Sequence, residues 1–327
     1  MGWDRKTQRV IKRNPQEEIK SIKNCWDEFI IEKKVNNLVQ ESIDCYIKCF
    51  RKLMRFLEPK NIVNCNEITE SVINQWILSM KENEDIKDIT INHYISNTRV
   101  FLNWLIEKGC CDDFPIKLLK LQEETVITYT DDELNTLLEK PKDENNFVEN
   151  RIFTIVNWIL GTGNRTSTIL NLKLKDIDFT YKNIILTHTK SKKIQTIPLS
   201  KSLEVVIRDY IRSWRYDCEP NDYLFCGISG EKLSRMGLKM SFSRYCKSRG
   251  IQKTSIHKLR HNFSKLWILN NGDVFRLQKM LGHTTLDMTR KYVNMFSSDL
   301  HKDFEKYNPL DNLKKGMSRK QVVQKSS

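Results

Sequence analysis

The sequence predicts a mainly α-helical protein of two domains, with a small β-hairpin or sheet in the second domain. The chain has 327 residues, which is more than a single hydrophobic core usually serves. Four segments in its first third repeat apolar residues at spacings of three and four, the period of an α-helix. One β-branched segment, NIILTHTKSKKIQTIPLS from Asn183, is interrupted by a basic turn and indicates two paired strands.

The first domain is assigned to residues 15–111 and follows a basic arm, residues 1–14. Its four amphipathic helices are expected to begin near Glu17, Val39, Thr69 and Ile89. Gly109 is placed to end the last of them, because glycine readily adopts the left-handed backbone that closes a helix. Basic residues lie between the apolar positions, which suits a face offered to a partner and equally suits an ordinary solvated face.

Residues 112–128 break the helical pattern, contain Pro115 and are assigned as the linker. The second domain, residues 129–310, opens with a helix that Thr130 is expected to cap. Further elements are expected to start near Ile152, Asn183, Ser202 and Ser234. Residues 311–327 are polar and basic, and are expected to form a disordered tail.

The formal net charge of +14 favours a polyanionic partner, because Lys and Arg side chains that neutralise phosphates release counterions. A membrane surface is the weaker alternative, since no long helix with an aromatic face and a basic face stands out. The sequence contains no apolar run long enough for a membrane span, and its first residues do not resemble a signal peptide. We therefore expect a cytoplasmic protein without a membrane partner.

The nine cysteines do not form a recognisable framework. Their number is odd, and their spacings match neither a set of disulfides nor a zinc site built on CxxC pairs. Most are expected to be reduced, small apolar residues of the core.

Metal-dependent phosphoryl transfer would need spaced carboxylates, and the second domain offers only Asp176 and Asp178, which indicate a turn before a strand. No phosphate-binding glycine loop is present. His257 and His261 have a zinc-like spacing but lack a third ligand nearby in the sequence. No cofactor-binding or metal-binding residues are predicted.

The second domain does carry side chains suited to phosphodiester chemistry without a metal. Two arginines can grip the non-bridging oxygens of one phosphate. A tyrosine hydroxyl, with an ordinary pKa of about 10, can attack phosphorus once its proton is removed and the developing charge is stabilised. A lysine can supply a proton to the leaving 5′-oxygen. The candidates are Arg165, Lys190, His257, Arg260, His283 and Tyr292.

Four motifs hold these candidates in order: TGNR, TKSKKIQTIPL, HKLRH and LGHTTLDMTRKY. Together they resemble the tyrosine recombinase, or phage integrase, family. The resemblance implies catalytic roles for all six candidates, with Tyr292 as the nucleophile. It places the general acid at Lys190, with Lys192 and Lys193 as alternatives, and leaves His188 as a solvated residue or one near DNA. His261 is expected to pack or cap rather than react.

The resemblance further implies a helical, SAM-like core-binding domain and a catalytic domain that clamp double-stranded DNA. Tyr292 would form a 3′-phosphotyrosyl bond and release a 5′-hydroxyl, and a second 5′-hydroxyl would then attack that bond, with no need for ATP or a metal. The expected assembly is a homotetramer on two DNA sites, with exchange of C-terminal segments between subunits or docking of that segment in cis. Accessory DNA-bending factors and association with a bacterial nucleoid fit this scheme.

The expected biological role is integration or excision of a mobile element by a simple recombinase, because only about 14 residues precede the first helix. A type IB topoisomerase is an alternative with the same site chemistry. A basic helical DNA-binding regulator with an inactive site is an alternative from another class.

Two residues depart from the family pattern. Thr168 stands where an acidic residue usually follows the first arginine, and Asn164 replaces an apolar residue before it. We expect Thr168 to leave His257 less firmly held in its charged form, unless another acid such as Asp176 takes over.

Overall fold

The computed structural model describes residues 20–83, 86–121, 127–143, 145–187, 194–283, 285, 289–290, 308 and 310. The chain divides between Glu124 and Thr125 into two compact units, and this boundary lies inside the predicted linker. The predicted basic arm and tail lie outside the described residues. In the described part of the chain, no helix is both long and apolar enough to cross a membrane.

The first unit contains the four predicted helices, α1 (Ile22–Val35), α2 (Gln40–Leu57), α3 (Glu70–Asn83) and α4 (Asp88–Glu107). Helix α1 begins at Ile22 rather than near Glu17. The reason is that Ser21 has an extended backbone and its hydroxyl accepts the N–H of Asn24 at 3.2 Å, which makes it the N-cap. Gly109, with φ of 73°, follows the end of α4 as expected.

Aromatic side chains fill the core of the first unit. Trp26 stacks on Phe50 with ring centroids 3.9 Å apart, and Phe101 meets Trp26 edge-on at 5.1 Å. Part of the predicted linker also packs on this core. The amide of Asn92 donates to the carbonyl of Leu119 at 2.9 Å and accepts its N–H at 2.8 Å, so the chain stays attached to the first unit as far as Leu119.

The second unit contains seven helices among its described residues. They are α5 (Asp131–Leu137), α6 (Phe147–Thr162), α7 (Thr166–Ile169), α8 (Lys201–Trp214), α9 (Arg235–Ser248), α10 (His257–Leu269) and α11 (Val274–Leu281). Thr130 caps α5 as predicted, and Glu133 completes a capping box with it. Helix α6 starts at Phe147, earlier than the predicted Ile152, because Asn146 caps it by accepting the N–H of Glu149 at 3.1 Å.

The predicted hairpin is confirmed and is extended by one strand. Strands β1 (Ile177–Asp178), β2 (Asn183–Leu186) and β3 (Gln195–Pro198) form an antiparallel sheet in that order, with Ile184 opposite Ile197. Asp176, just before β1, is buried and accepts the N–H of Lys173 at 2.9 Å. Its carboxylate therefore caps a turn.

Helix α6 is the centre of the second unit. Five of its apolar residues are buried, Ile152, Ile155, Val156, Trp158 and Ile159, and the helix packs against α8, α9 and α10. The helix ends at Gly163, whose φ of 65° is left-handed. Arg165 follows two residues later. The end of α6 therefore places Arg165 close to α10, whose Arg260 donates to the carbonyl of Gly163.

Candidate active site

Arg165 sits in a turn that the interior of the second unit holds in place. Asn164 before it is buried, and its side-chain oxygen accepts the indole N–H of Trp158 at 3.0 Å. The departure from the family pattern at Asn164 thus satisfies a buried donor of α6. Arg165 itself is the N-cap of α7, and its carbonyl accepts the N–H of Thr168 at 3.0 Å.

Arg260 lies in the first turn of α10 and is only 3% exposed. One of its terminal nitrogens donates to the carbonyl of Gly163 at 2.6 Å, and the other donates to the carbonyl of Leu281 at 2.9 Å. Arg165 donates to the same Leu281 oxygen at 3.1 Å and to Gly282 at 3.4 Å. Two guanidinium groups from distant parts of the chain therefore converge on one carbonyl oxygen.

The end of α11 makes that convergence possible. Gly282 has a left-handed φ of 60°, and its N–H bonds back to the carbonyl of Lys279 at 3.0 Å. The N–H of His283 bonds back to Gln278 at 3.1 Å, which closes the helix. The last carbonyls of α11 then face the arginines, and a helix C-terminus favours positive charge. These carbonyl partners are neutral and position the guanidiniums.

His283 contacts the site through both ring nitrogens. Its Nε2 lies 2.9 Å from a terminal nitrogen of Arg260, and its Nδ1 lies 2.9 Å from the hydroxyl of Thr289. Because arginine can only donate, Nε2 must accept, so the single proton of the neutral ring is on Nδ1 and is donated to Thr289. Thr289 is fully buried.

Both histidines of the site resist protonation. Burial, together with the charges of Arg260 and Arg165, lowers the pKa of His283 to about 4. The same causes, in the same order, lower the pKa of His257 below its ordinary value. Because both arginines lower the pKa of both histidines, the four side chains lie in one region of positive potential. Such a region favours a bound anion.

His257 begins α10 and keeps an exposed surface, so a large substrate can reach it. Its ring lies edge-on to that of His261, with centroids 4.6 Å apart. Thr168 is buried, and among the described residues the charges that shift the pKa of His257 are the two arginines.

The hairpin is tied to the same turn. The side-chain amide of Gln195, at the start of β3, donates to the carbonyls of Lys279 and, at 3.3 Å, Met280. Lys190, together with its alternatives Lys192 and Lys193, lies outside the described residues, as does Tyr292. The structure therefore brings together Arg165, His257, Arg260 and His283 from the predicted set.

Three contributors were not predicted from the sequence: Gly163, Gln195 and Thr289. Thr289 is one of three threonines between His283 and Tyr292, and nothing in the sequence distinguishes it from Thr284 and Thr285. Gly163 belongs to the TGNR motif, but the sequence does not indicate its role. Its carbonyl accepts from Arg260 only because α10 packs across the end of α6 in the folded chain.

Comparison with known proteins agrees with this architecture. Residues 128–298 match the model of the phage integrase family, and residues 26–109 match the N-terminal SAM-like domain of phage integrases. The tyrosine recombinase XerC of Listeria innocua is 24% identical over 287 residues, which cover 84% of this chain and 93% of that protein.

Solved structures show the same fold. The Tn1549 transposon integrase in complex with transposon right end DNA has a TM-score of 0.70 at 18% identity, covering 94% of this chain and 100% of that chain. A lambda integrase dimer bound to a COC′ core site has a TM-score of 0.65 at 16% identity, covering 82% of this chain and 97% of that chain. With the family model spanning more than half of its length, the chain belongs to the phage integrase family and is a tyrosine-type site-specific recombinase.

Proposed function

We propose that this recombinase cuts and rejoins double-stranded DNA at the site formed by Arg165, Arg260 and His283, with Tyr292 as the nucleophile. The observation that carries the proposal is the convergence of both arginines and His283 at the turn that ends α11. The chain runs from this turn through Thr289 and Arg290 toward Tyr292, which follows His283 by nine residues.

In the first step the phenolic oxygen of Tyr292 attacks phosphorus, and the bond from phosphorus to the 5′-oxygen breaks. The tyrosine proton passes to a neutral base, for which His257 is the candidate because burial and the two arginines lower its pKa while the residue keeps an exposed surface. Arg165 and Arg260 donate to the non-bridging oxygens, where negative charge increases in the transition state.

The leaving 5′-oxygen must gain a proton, and Lys190 is the candidate donor. Support comes from Gln195, five residues further along the hairpin, which is anchored to the end of α11. In the second step a 5′-hydroxyl of another strand attacks the phosphotyrosine, restores the phosphodiester and frees Tyr292. The energy of the broken bond is kept in the covalent intermediate, so the exchange needs no nucleotide.

A DNA partner is supported by the net charge of +14 and by one face of the first unit. One groove along α2 is lined by the four cations Lys48, Arg51, Lys52 and Arg55, by Tyr94 of α4, and by Ile47 and one carboxylate, Asp44. We call these four cations and Tyr94 the α2 basic face. Lys and Arg side chains at such a face suit the DNA backbone, and an aromatic ring can pack against sugars.

A role in a mobile element is supported by the likeness to the Tn1549 transposon integrase, whose structure was solved with transposon right end DNA. Exchange of strands between two duplexes requires at least two active sites, and a homotetramer on two DNA sites supplies one for each strand. We propose this assembly on DNA.

Recombination between two DNA fragments tests the proposal. Fragments covering the two junctions of the genomic segment that carries the gene are incubated with the protein. Wild-type protein is expected to yield joined recombinants, whereas Tyr292→Phe is expected to bind both fragments and yield none. Relaxation of supercoiled plasmid by the wild type, without recombinants from any junction pair, would instead support the topoisomerase alternative.

A further inference from the structure

Three side chains of the first unit with metal-binding atoms meet at one point, away from the candidate active site. Cys45 and Cys49 lie one turn apart on α2, and His93 lies on α4. Their sulfur and ring-nitrogen atoms are all within 4.8 Å of one another. Sγ of Cys45 lies 3.4 Å from Nε2 of His93.

These separations are close to those in a metal coordination sphere. Tetrahedral zinc, with bonds of about 2.3 Å to sulfur and 2.05 Å to nitrogen, sets sulfur and nitrogen about 3.6 Å apart and two sulfurs about 3.8 Å apart. The 3.4 Å between Cys45 and His93 is slightly shorter than this sulfur–nitrogen separation. The remaining atoms need to move by about 1 Å or less, which side-chain rotation provides.

The surroundings also fit a bound ion. Cys49 is buried, Cys45 is half-buried and His93 is exposed. One side of the group therefore lies against the core and the other is open to solvent. Asn97, one turn along α4, donates to the carbonyl of His93 at 2.7 Å and lies 3.4 Å from its Nδ1. The ring presents Nε2 to Sγ of Cys45, and binding a metal through Nε2 would place the ring proton on Nδ1.

We propose that Cys45, Cys49 and His93 bind one thiophilic metal ion of the zinc class, with a fourth position open to water. Two thiolates and one imidazole are ligands that zinc and similar soft ions prefer over calcium or magnesium. The sequence did not indicate this site because the histidine lies 48 residues after Cys45. The proposal does not depend on the proposed function of the second unit.

The ion would join α2 to α4 at the level of the α2 basic face. Two thiolates neutralise a divalent cation, so the loaded site adds no net charge beside Lys48. Binding to the folded state alone would stabilise the first unit, since the ligands come together only when α2 packs on α4.

The alternative is a plain hydrogen bond between the thiol of Cys45 and the imidazole of His93. To distinguish the two, metal-stripped, reduced full-length protein is titrated with Co²⁺ and, in competition with a chromophoric chelator, with Zn²⁺. We expect one ion per chain, a thiolate-to-cobalt charge-transfer band in the near ultraviolet, and a higher melting temperature with zinc.

Cys45→Ser and His93→Gln carry the test, because neither side chain is fully buried and both variants should fold. Each is expected to lower zinc affinity by about 100-fold or more, the upper end of the loss seen when even outer-sphere partners are removed. Cys218→Ser, at a half-buried cysteine of the second unit, is the control and should bind like wild type. Wild-type protein without the cobalt band, or either variant with unchanged zinc affinity, would overturn the proposal.

Discussion

Thr289 accepts the ring proton of His283, which Arg260 confines to Nδ1 because a guanidinium can only donate. Its hydroxyl is the acceptor for Nδ1, and this leaves Nε2 free to accept from Arg260. If the proton moved to Nε2, two donors would face each other at 2.9 Å. A hydroxyl on the segment that leads to Tyr292 therefore keeps Arg260 in its place, which makes Thr289 a positioning residue.

Replacing Thr289 with valine should slow DNA cleavage while the matched replacement with serine should not. Valine keeps the volume of threonine but leaves the buried Nδ1 proton of His283 without an acceptor. The expected loss is about 1–3 kcal/mol, which corresponds to roughly 5- to 150-fold in rate. The measurement is single-turnover cleavage at saturating protein, with DNA affinity as the control. Equal rates for the valine and serine variants would exclude a role for this hydrogen bond.

Thr168 is expected to set the pH range of cleavage through His257. Burial, together with the charges of Arg260 and Arg165, lowers the pKa of His257, so its neutral form persists into mildly acidic solution. If neutral His257 accepts the proton of Tyr292, the rate falls only when the pH drops through this lowered pKa. A carboxylate at position 168 would raise the pKa of His257 and move the acid limb of the pH profile upward.

The comparison is single-turnover cleavage against pH for wild type, Thr168→Glu, Thr168→Gln and Thr168→Val. Glutamine matches the size of glutamate without its charge, so it reports any disturbance from the extra bulk in this buried place. We expect only the glutamate variant to shift the acid limb. Coincident profiles for all four proteins would mean that position 168 has no electrostatic part in the site.

At the scale of elements, the crossing of α6 and α10 positions the site. Gly163 ends α6 with a left-handed backbone, and its carbonyl accepts from Arg260 of α10. A Cβ atom at this glycine would lie 2.4 Å from the ring of Phe263 and 2.9 Å from the side chain of Leu281. The absence of a side chain is thus what allows both helix ends to approach the arginines.

Gly163→Ala should therefore destabilise the second unit and slow cleavage. We expect a loss of about 3 kcal/mol, from a left-handed alanine plus overpacking against Phe263. Gly250→Ala is the matched control, because that glycine has a φ of 72° with nothing within 4 Å of an added Cβ, and should lose only about 1 kcal/mol. Denaturant unfolding and single-turnover cleavage measure both effects. Equal losses in the two variants would show that the crossing tolerates a side chain.

Helix periodicity was enough to predict the four helices of the first unit, because each buries one regular face. A β-branched segment interrupted by a basic turn was enough to predict the hairpin of the second. Helix starts were predicted less well. Ser21 and Asn146 cap α1 and α6, but capping depends on a backbone conformation that periodicity does not report. The motifs named Arg165, His257, Arg260 and His283 as candidates, and the fold brings these four together. Thr289 and Gln195 join them through contacts that only the folded chain creates.

At the scale of the whole molecule, the net charge of +14 should dominate the affinity for DNA. Each phosphate that a basic side chain neutralises releases counterions, so log affinity falls with log salt by about 0.9 per contact. The α2 basic face supplies several such side chains from a single helix. The contribution of the α2 basic face to DNA affinity can be separated from that of the total charge. This requires variants that lose the same number of positive charges at different places on the first unit.

Changing Lys48, Arg51 and Arg55 together to glutamine should lower the salt slope of DNA binding by roughly 2–3. The control changes Lys20, Lys23 and Lys33 to glutamine, since each of these lies within 3.7 Å of a carboxylate that already offsets its charge. Fluorescence anisotropy across a salt series gives both slopes. If the two triple variants had the same slope, total charge rather than the α2 basic face would govern binding.

The central claim is that the arginine and histidine cluster at the end of α11 serves covalent attack on DNA by Tyr292. The most direct measurement traps the protein on a nicked suicide substrate, digests the complex with protease and maps the modified peptide by mass spectrometry. We predict that the 3′-phosphate of the cut strand is linked to the peptide containing Tyr292, and that Tyr292→Phe forms no adduct. An adduct on any other residue, or one that persists in Tyr292→Phe, would contradict the account.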